Sequence, residues 1–166
     1  VGALDPHAVR AAATGTLVPG RFEVVADDPV TVLDGAHNPA GFAALGETLE
    51  QFLTGRPLVA VLSVLDDKDA ATMLATLLPL CGHAVFTTNA NPRALSPATL
   101  ESLAGQVGPR PEAHLEPDPH RALALAKELA RGHDPPGVVL ATGSIYLIAD
   151  LLRTRADRAG SRRSTL

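Results

Sequence analysis

Val30-Thr31-Val32-Leu33-Asp34-Gly35-Ala36-His37-Asn38-Pro39-Ala40-Gly41 is the stretch that decides how this chain folds. Val30, Val32 and Leu33 have the β-branched, apolar character of a core strand. Asp34-Gly35 is a turn pair, and Asn38-Pro39 offers a helix cap followed by proline at the first helical position. The stretch predicts a buried strand that ends in polar groups and opens directly into a helix. Asp34, His37 and Asn38 then stand together at the carboxyl edge of a sheet. There, free backbone N–H groups and the positive end of a helix dipole attract anions and nucleotides.

Downstream, Phe42, Leu45, Leu49, Phe52 and Leu53 recur at helical spacing, so Asn38 to Leu53 reads as an amphipathic helix. Leu58 to Val64 is a continuous apolar run, as expected of a parallel strand covered on both faces. A helix from Asp69 to Leu80, a strand from Ala84 to Thr88, and a helix from Ser96 to Gly105 follow. A weak strand near Glu112 to Leu115, a helix opening at Asp118-Pro119, a strand from Val138 to Ala141 and a helix after Ser144 complete the series. Upstream, Phe22 to Val25 forms an antiparallel hairpin with Val30 to Leu33. Pro19-Gly20 is a hinge-like turn, and a short helix spans Leu4 to Ala13. The alternation of strands and helices predicts an α/β, Rossmann-like layered sandwich. Its sheet is mostly parallel, with one antiparallel strand near the N-terminus and helices on both faces.

Composition narrows the functional classes. Hydrophobic residues make up 46% and charged residues 19% of the 166, which excludes wholesale disorder. Aromatics are only 3%, so the core is built from Leu, Val, Ile and Ala. A net charge of −4 offers no global attraction to nucleic acid or an anionic membrane. No apolar run approaches the about 20 residues of a membrane span. A lone cysteine, Cys81, fits a structural role in a reducing cytoplasm. The chain starts at Val1 and not Met, as a piece of a longer protein would. Residues 1–18 read as a remnant of or linker from a preceding ATPase domain, 19–152 as the folded domain, and 153–166 as a disordered basic tail.

Each candidate site residue also has a plain structural reading. The Asp34 to Pro39 cluster is either an ordinary strand-to-helix loop or a ligand site, and His37 between a turn alanine and a cap has no packing reason to be there. Arg21 is a surface arginine or a phosphate contact. Ser144 lacks the second half of the Gly-x-Ser-x-Gly nucleophile turn, and so caps a helix or binds a carboxylate. Asp66 to Asp69 reads as a solvated loop, with Asp69 a cap and not a metal ligand. The six histidines show no zinc-ligand spacing, so no metal site is expected. Neither a Walker phosphate loop nor a Gly-x-Gly-x-x-Gly fingerprint occurs.

Pro19-Gly-Arg-Phe-Glu23, Leu33-Asp-Gly-Ala-His-Asn-Pro-Ala-Gly41, Leu65-Asp-Asp-Lys-Asp69, Pro92-Arg-Ala94 and Thr142-Gly-Ser-Ile-Tyr146, in that order, resemble the C-terminal domain of the folylpolyglutamate and dihydrofolate synthases of the Mur ligase superfamily. The resemblance implies a ligase of folate biosynthesis and one-carbon metabolism. ATP activates a folate or dihydropteroate carboxylate as an acyl phosphate, and the amine of L-glutamate attacks it. Magnesium and most of ATP would be held by a missing N-terminal ATPase domain. Carried over by resemblance, Arg21 contacts ATP phosphate and Asp34 the ribose or nearby nucleotide, with Asn38 in the same ATP-binding loop. His37 is catalytic and, with Ser144, binds the incoming glutamate. The isolated chain is then half of an active site, silent by itself. The competing reading is a stand-alone α/β regulatory module that binds a small anion or nucleotide at the same edge.

Overall fold

The computed structural model describes residues 20–108 and 111–153. The short helix expected over Leu4 to Ala13 and the basic tail lie outside the described residues. Six strands form one sheet: β1 (Glu23–Asp27), β2 (Val30–Leu33), β3 (Leu58–Leu62), β4 (Cys81–Phe86), β5 (Glu112–Leu115) and β6 (Val138–Thr142). Among the described residues five α-helices cover it: α1 (Pro39–Leu53), α2 (Ala70–Leu77), α3 (Pro97–Ala104), α4 (Pro119–Arg131) and α5 (Ile145–Leu152). Across the sheet the order is β1-β2-β6-β3-β4-β5. Only the β1–β2 pair is antiparallel, with a bulge between Val24 and Ala26.

Strand composition explains that order. β3 reads LVAVL and β6 reads VVLAT, and every residue of both is buried, as central strands with two covered faces require. β1 and β5 expose most of their residues and lie at the two edges. Alternate residues face opposite cores. Leu58, Ala60 and Leu62 of β3 join Phe42, Leu49, Met73, Leu74 and Leu100 beneath α1, α2 and α3. Val59 and Val61 join Ala122, Ala126, Ala130, Leu147 and Ile148 beneath α4 and α5.

Every α-helix opens on a side-chain cap: Asn38, Asp69, Ser96, Asp118 and Ser144 each accept a backbone N–H from the first turn. Several boundaries differ from expectation by one to three residues, and two of them have a clear cause. The helix predicted to reach Leu80 tightens after Leu77 into a 3-10 turn, Leu78–Leu80, around Pro79. The strand predicted from Ala84 begins at Cys81, because pairing with β3 includes His83 and, across a bulge at Gly82, Cys81. Among the described residues, no helix is long and apolar enough to cross a membrane.

The topology positions the site. β2 and β3 each lead into a helix on one face, whereas β6, lying between them, leads into α5 on the other. The chain thus diverges on both sides of the β6 exit, and a crevice opens at each divergence.

Candidate functional site: two clefts beside the exit of β6

The first crevice, about 430 Å³, lies between the exits of β2 and β6. Gly20, Arg21 and Phe22 form one wall, Asp34 to Asn38 the base, and Gly41, Ala44, Leu45 and Thr48 of α1 the other wall, with Ile145 at the rim. Asp34 organises it. Its backbone N–H donates to Ala141 O at 3.0 Å, carrying the β2–β6 ladder one residue further. Its carboxylate accepts the N–H of Phe22 at 2.9 Å and that of Ala36 at 2.8 Å, one on each oxygen. Gly35 N–H donates to Gly20 O at 2.6 Å. A side chain at Gly35 would meet both Gly20 O and Ile145, each at 3.2 Å, so this position is kept bare by close approach. The entering segment is therefore tied to the loop at two points. Arg21 is exposed on that segment, and its guanidinium has no partner among the described residues.

The loops after β2, β6 and β3 are also laced together. Gly143 N–H donates to Ala36 O at 3.1 Å, and Ser63 N–H to Thr142 O at 3.3 Å. Gly143 has φ +101°, and a Cβ there would sit 2.5 Å from Ser63 O, so only glycine lets these backbones approach so closely.

His37 faces both crevices. Its Nδ1 lies 2.9 Å from Gly35 O. A carbonyl can only accept, so Nδ1 carries a proton, which in the neutral tautomer places the lone pair at Nε2. Asn38 Oδ1 accepts Gly41 N–H at 2.8 Å, which uses the amide oxygen for capping and leaves the amide nitrogen available.

The second crevice, about 190 Å³, lies between the exits of β6 and β3. It is lined by His37, Leu65, Lys68, Arg93, Ser144, Ile145 and Tyr146. Ser144 is 1% exposed and its Oγ accepts Tyr146 N–H at 3.1 Å, so its hydroxyl proton can still be donated. Lys68 and Arg93 come from different loops that are braced against each other. Leu65 bridges Ala94, and Asp66 N–H donates to Arg93 O at 2.9 Å. Asp67 pairs with Lys68 at 3.0 Å and Arg93 at 3.4 Å. The hydrogen bond from Lys68, with Arg93 nearby, holds the Asp67 carboxyl below its ordinary value. Two cations, both paired with Asp67, a hydroxyl donor and the N-terminus of α5 give this crevice a positive polarity, chemistry suited to a carboxylate.

All five residues predicted for the site, Arg21, Asp34, His37, Asn38 and Ser144, line one crevice or the other. Lys68 and Arg93 were not predicted as binding residues. The available signal was their placement, each in the loop that follows a parallel strand. Asp69 is a cap as expected, bonded to Thr72 N at 3.1 Å.

Magnesium does not fit this half of the site. Among the described residues Asp34 is the only carboxylate lining either crevice, and both its oxygens already hold backbone N–H groups.

Comparisons with known proteins agree with the geometry. The family model for the Mur ligase, glutamate ligase domain matches residues 20–145. A dihydrofolate synthase/folylpolyglutamate synthase of Mycobacterium tuberculosis is 37% identical over 159 residues, which is 93% of this chain and 33% of that protein. The folylpolyglutamate synthase of Lacticaseibacillus casei is 34% identical over 157 residues, 91% of this chain and 33% of that protein. Among solved structures, the Mycobacterium tuberculosis folylpolyglutamate synthase complexed with ADP and AMPPCP superposes with a TM-score of 0.79 at 34% identity, covering 91% of this chain and 36% of that one. A Yersinia pestis bifunctional folylpolyglutamate synthase/dihydrofolate synthase complexed with AMPPNP and a Mn ion gives 0.72 at 29% identity, covering 90% and 34%. This chain spans about a third of the length of these relatives. With its crevices at the exit of β6 and a matching model across residues 20–145, the chain belongs to the Mur ligase glutamate ligase domain family.

Proposed function

We propose that this chain is the glutamate-accepting part of a cytoplasmic, ATP-dependent ligase that adds L-glutamate to a folate or dihydropteroate carboxylate. The observation that carries the reading is the pair of crevices meeting at His37 and Ile145, one suited to a nucleotide and the other to an amino acid. The larger crevice is of a size to hold part of ATP. Arg21 offers a free guanidinium to phosphate, the remaining lone pairs of Asp34 can accept from ribose hydroxyls, and Asn38 offers its amide nitrogen. ATP, when bound, supplies the phosphoryl group that activates the acceptor carboxylate.

In the smaller crevice, Lys68, Arg93 and Ser144 hold the carboxylates of glutamate. His37 faces the amine with a lone pair at Nε2, where it can take the proton that the ammonium must lose before attack. Ile145 and Tyr146, 54% and 41% exposed, form an apolar rim that a companion ATPase domain would cover, excluding water from the activated carboxylate. That companion would hold magnesium and the folate.

Steady-state kinetics of the full-length enzyme test the division. Arg21→Ala should raise the KM for ATP, and Lys68→Ala and Ser144→Ala the KM for glutamate, each about tenfold or more, the loss expected for a charge-assisted hydrogen bond. Equal effects of all three on both substrates would defeat it. Tight binding of glutamate or ATP by the 166-residue chain alone would favour the stand-alone anion-binding module instead.

A further inference from the structure

Away from the crevices, three side chains converge on the face of the sheet that α4 covers. His83 of β4 is paired directly with Glu112 of β5, and His114 stands two residues on, so all three project from the same face. His83 Nδ1 lies 3.3 Å from His114 Nε2, 3.7 Å from Glu112 Oε2, and His114 Nε2 is 3.8 Å from Glu112 Oε1. One ligand atom from each residue falls within 4.8 Å of the others. His133, just after α4, closes one side, its ring centroid 5.7 Å from that of His83. Because α4 ends beside the start of β6, the cluster sits toward the amino-terminal edge of the sheet, opposite the crevices.

We propose that His83, Glu112 and His114 form a binding site for a borderline divalent transition metal, with zinc the best match. A tetrahedral ion at 2.0–2.1 Å from its ligands needs ligand atoms about 3.3 Å apart, which is the separation of the two imidazole nitrogens. The two longer edges involve Glu112, whose side chain is 68% exposed and can turn one oxygen inward. The two nitrogens face each other with room for only one proton between them, and a carboxylate stands beside them. A metal ion satisfies both lone pairs and the negative charge together. Burial holds His83 below its ordinary pKa, against the opposite pull of Glu112, so its imidazole is in the neutral, ligating form near neutral pH. Two nitrogen ligands and one carboxylate select zinc, cobalt or nickel over magnesium or calcium. The fourth position is open to water. The ion would clip edge strand β5, most of whose residues are exposed, to β4.

The test is titration of the chelator-treated 166-residue chain with zinc chloride and cobalt chloride. Calorimetry gives stoichiometry, cobalt absorption gives coordination, and thermal unfolding gives the effect on stability. One equivalent should bind, cobalt should show tetrahedral bands, and the melting temperature should rise with zinc but not with magnesium. Glu112→Gln alters an exposed side chain and should leave the fold intact by circular dichroism, so it serves beside His114→Gln. Each should weaken zinc by about tenfold or more. Absence of saturable binding overturns the proposal. So does binding that both variants leave unchanged, since the metal would then lie on other histidines.

Discussion

The two faces of the sheet are filled in different ways. Beneath α1, α2 and α3 the core is made of bulk: Phe42, Leu49, Met73, Leu74, Leu77 and Leu100 are fully buried. Beneath α4 it is made of proximity: Ala122, Ala126 and Ala130 are equally buried, against Val59, Val61, Val85 and Val139. A stripe of alanines one turn apart lets the α4 backbone approach the valines, and the same close approach brings Gly137 N–H to Ala130 O at 2.9 Å. The difference teaches that the first face is sensitive to losing volume and the second to gaining it.

The largest effect should come from emptying the bulky face. Phe42→Ala is expected to cost about 3–5 kcal/mol in urea unfolding, the range for a large-to-small change in a close-packed core. A cost below about 1 kcal/mol would show that α1 collapses onto the sheet, and the contrast between faces would fail. Next is the reverse change on the other face. Ala126→Leu should destabilise by about 1–3 kcal/mol through overpacking, whereas Leu74→Met, which conserves volume on the bulky face, should cost less than about 1.5 kcal/mol. A neutral Ala126→Leu would mean that α4 rides higher above the sheet than the geometry indicates.

The smallest effect is electrostatic and sharpens the second face. His83 lies at its margin, and burial lowers its pKa from the ordinary 6.5. The unfolded chain therefore takes up a proton more readily than the folded one. The stabilisation is present above 6.5, is lost as pH falls from there through the lower folded value, and is constant below both. The melting temperature of metal-free protein should drop as pH falls through 6.5 and below, and His83→Asn should flatten that slope. An unchanged slope would assign the titration to another group.

Much of this architecture was legible in local chemistry. β3 and β6 announce themselves as short continuous apolar runs, and each helix is introduced by a capping residue that the sequence shows plainly. The β2 exit was legible because Asp34, Gly35, Asn38 and Pro39 each do a local job. What escaped were features made by strands that lie far apart in sequence. Cys81 and His83 fell outside the expected strand, and only their pairing with β3, across a bulge at Gly82, draws them into the ladder. Lys68 and Arg93 look like solvated loop charges, because the bridge from Leu65 to Ala94 that brings their loops together leaves no periodic trace. His83 and His114 are 31 residues apart, so no ligand spacing marks them, and only the β4–β5 register does.

Cys81 illustrates the reverse case, in which a local reading and the structure coincide. Burial pushes its thiol up to about 12, and its Sγ–H donates to Leu77 O at 3.4 Å, so it is an inert packing residue.

The double tie at the β2 exit has a mechanical consequence. Phe22 is fastened to Asp34 and Gly20 to Gly35, so Arg21, between them, is anchored on both sides. The Arg21 backbone is therefore part of the same rigid unit as the β2 exit, and only its side chain is left to move relative to the His37 loop.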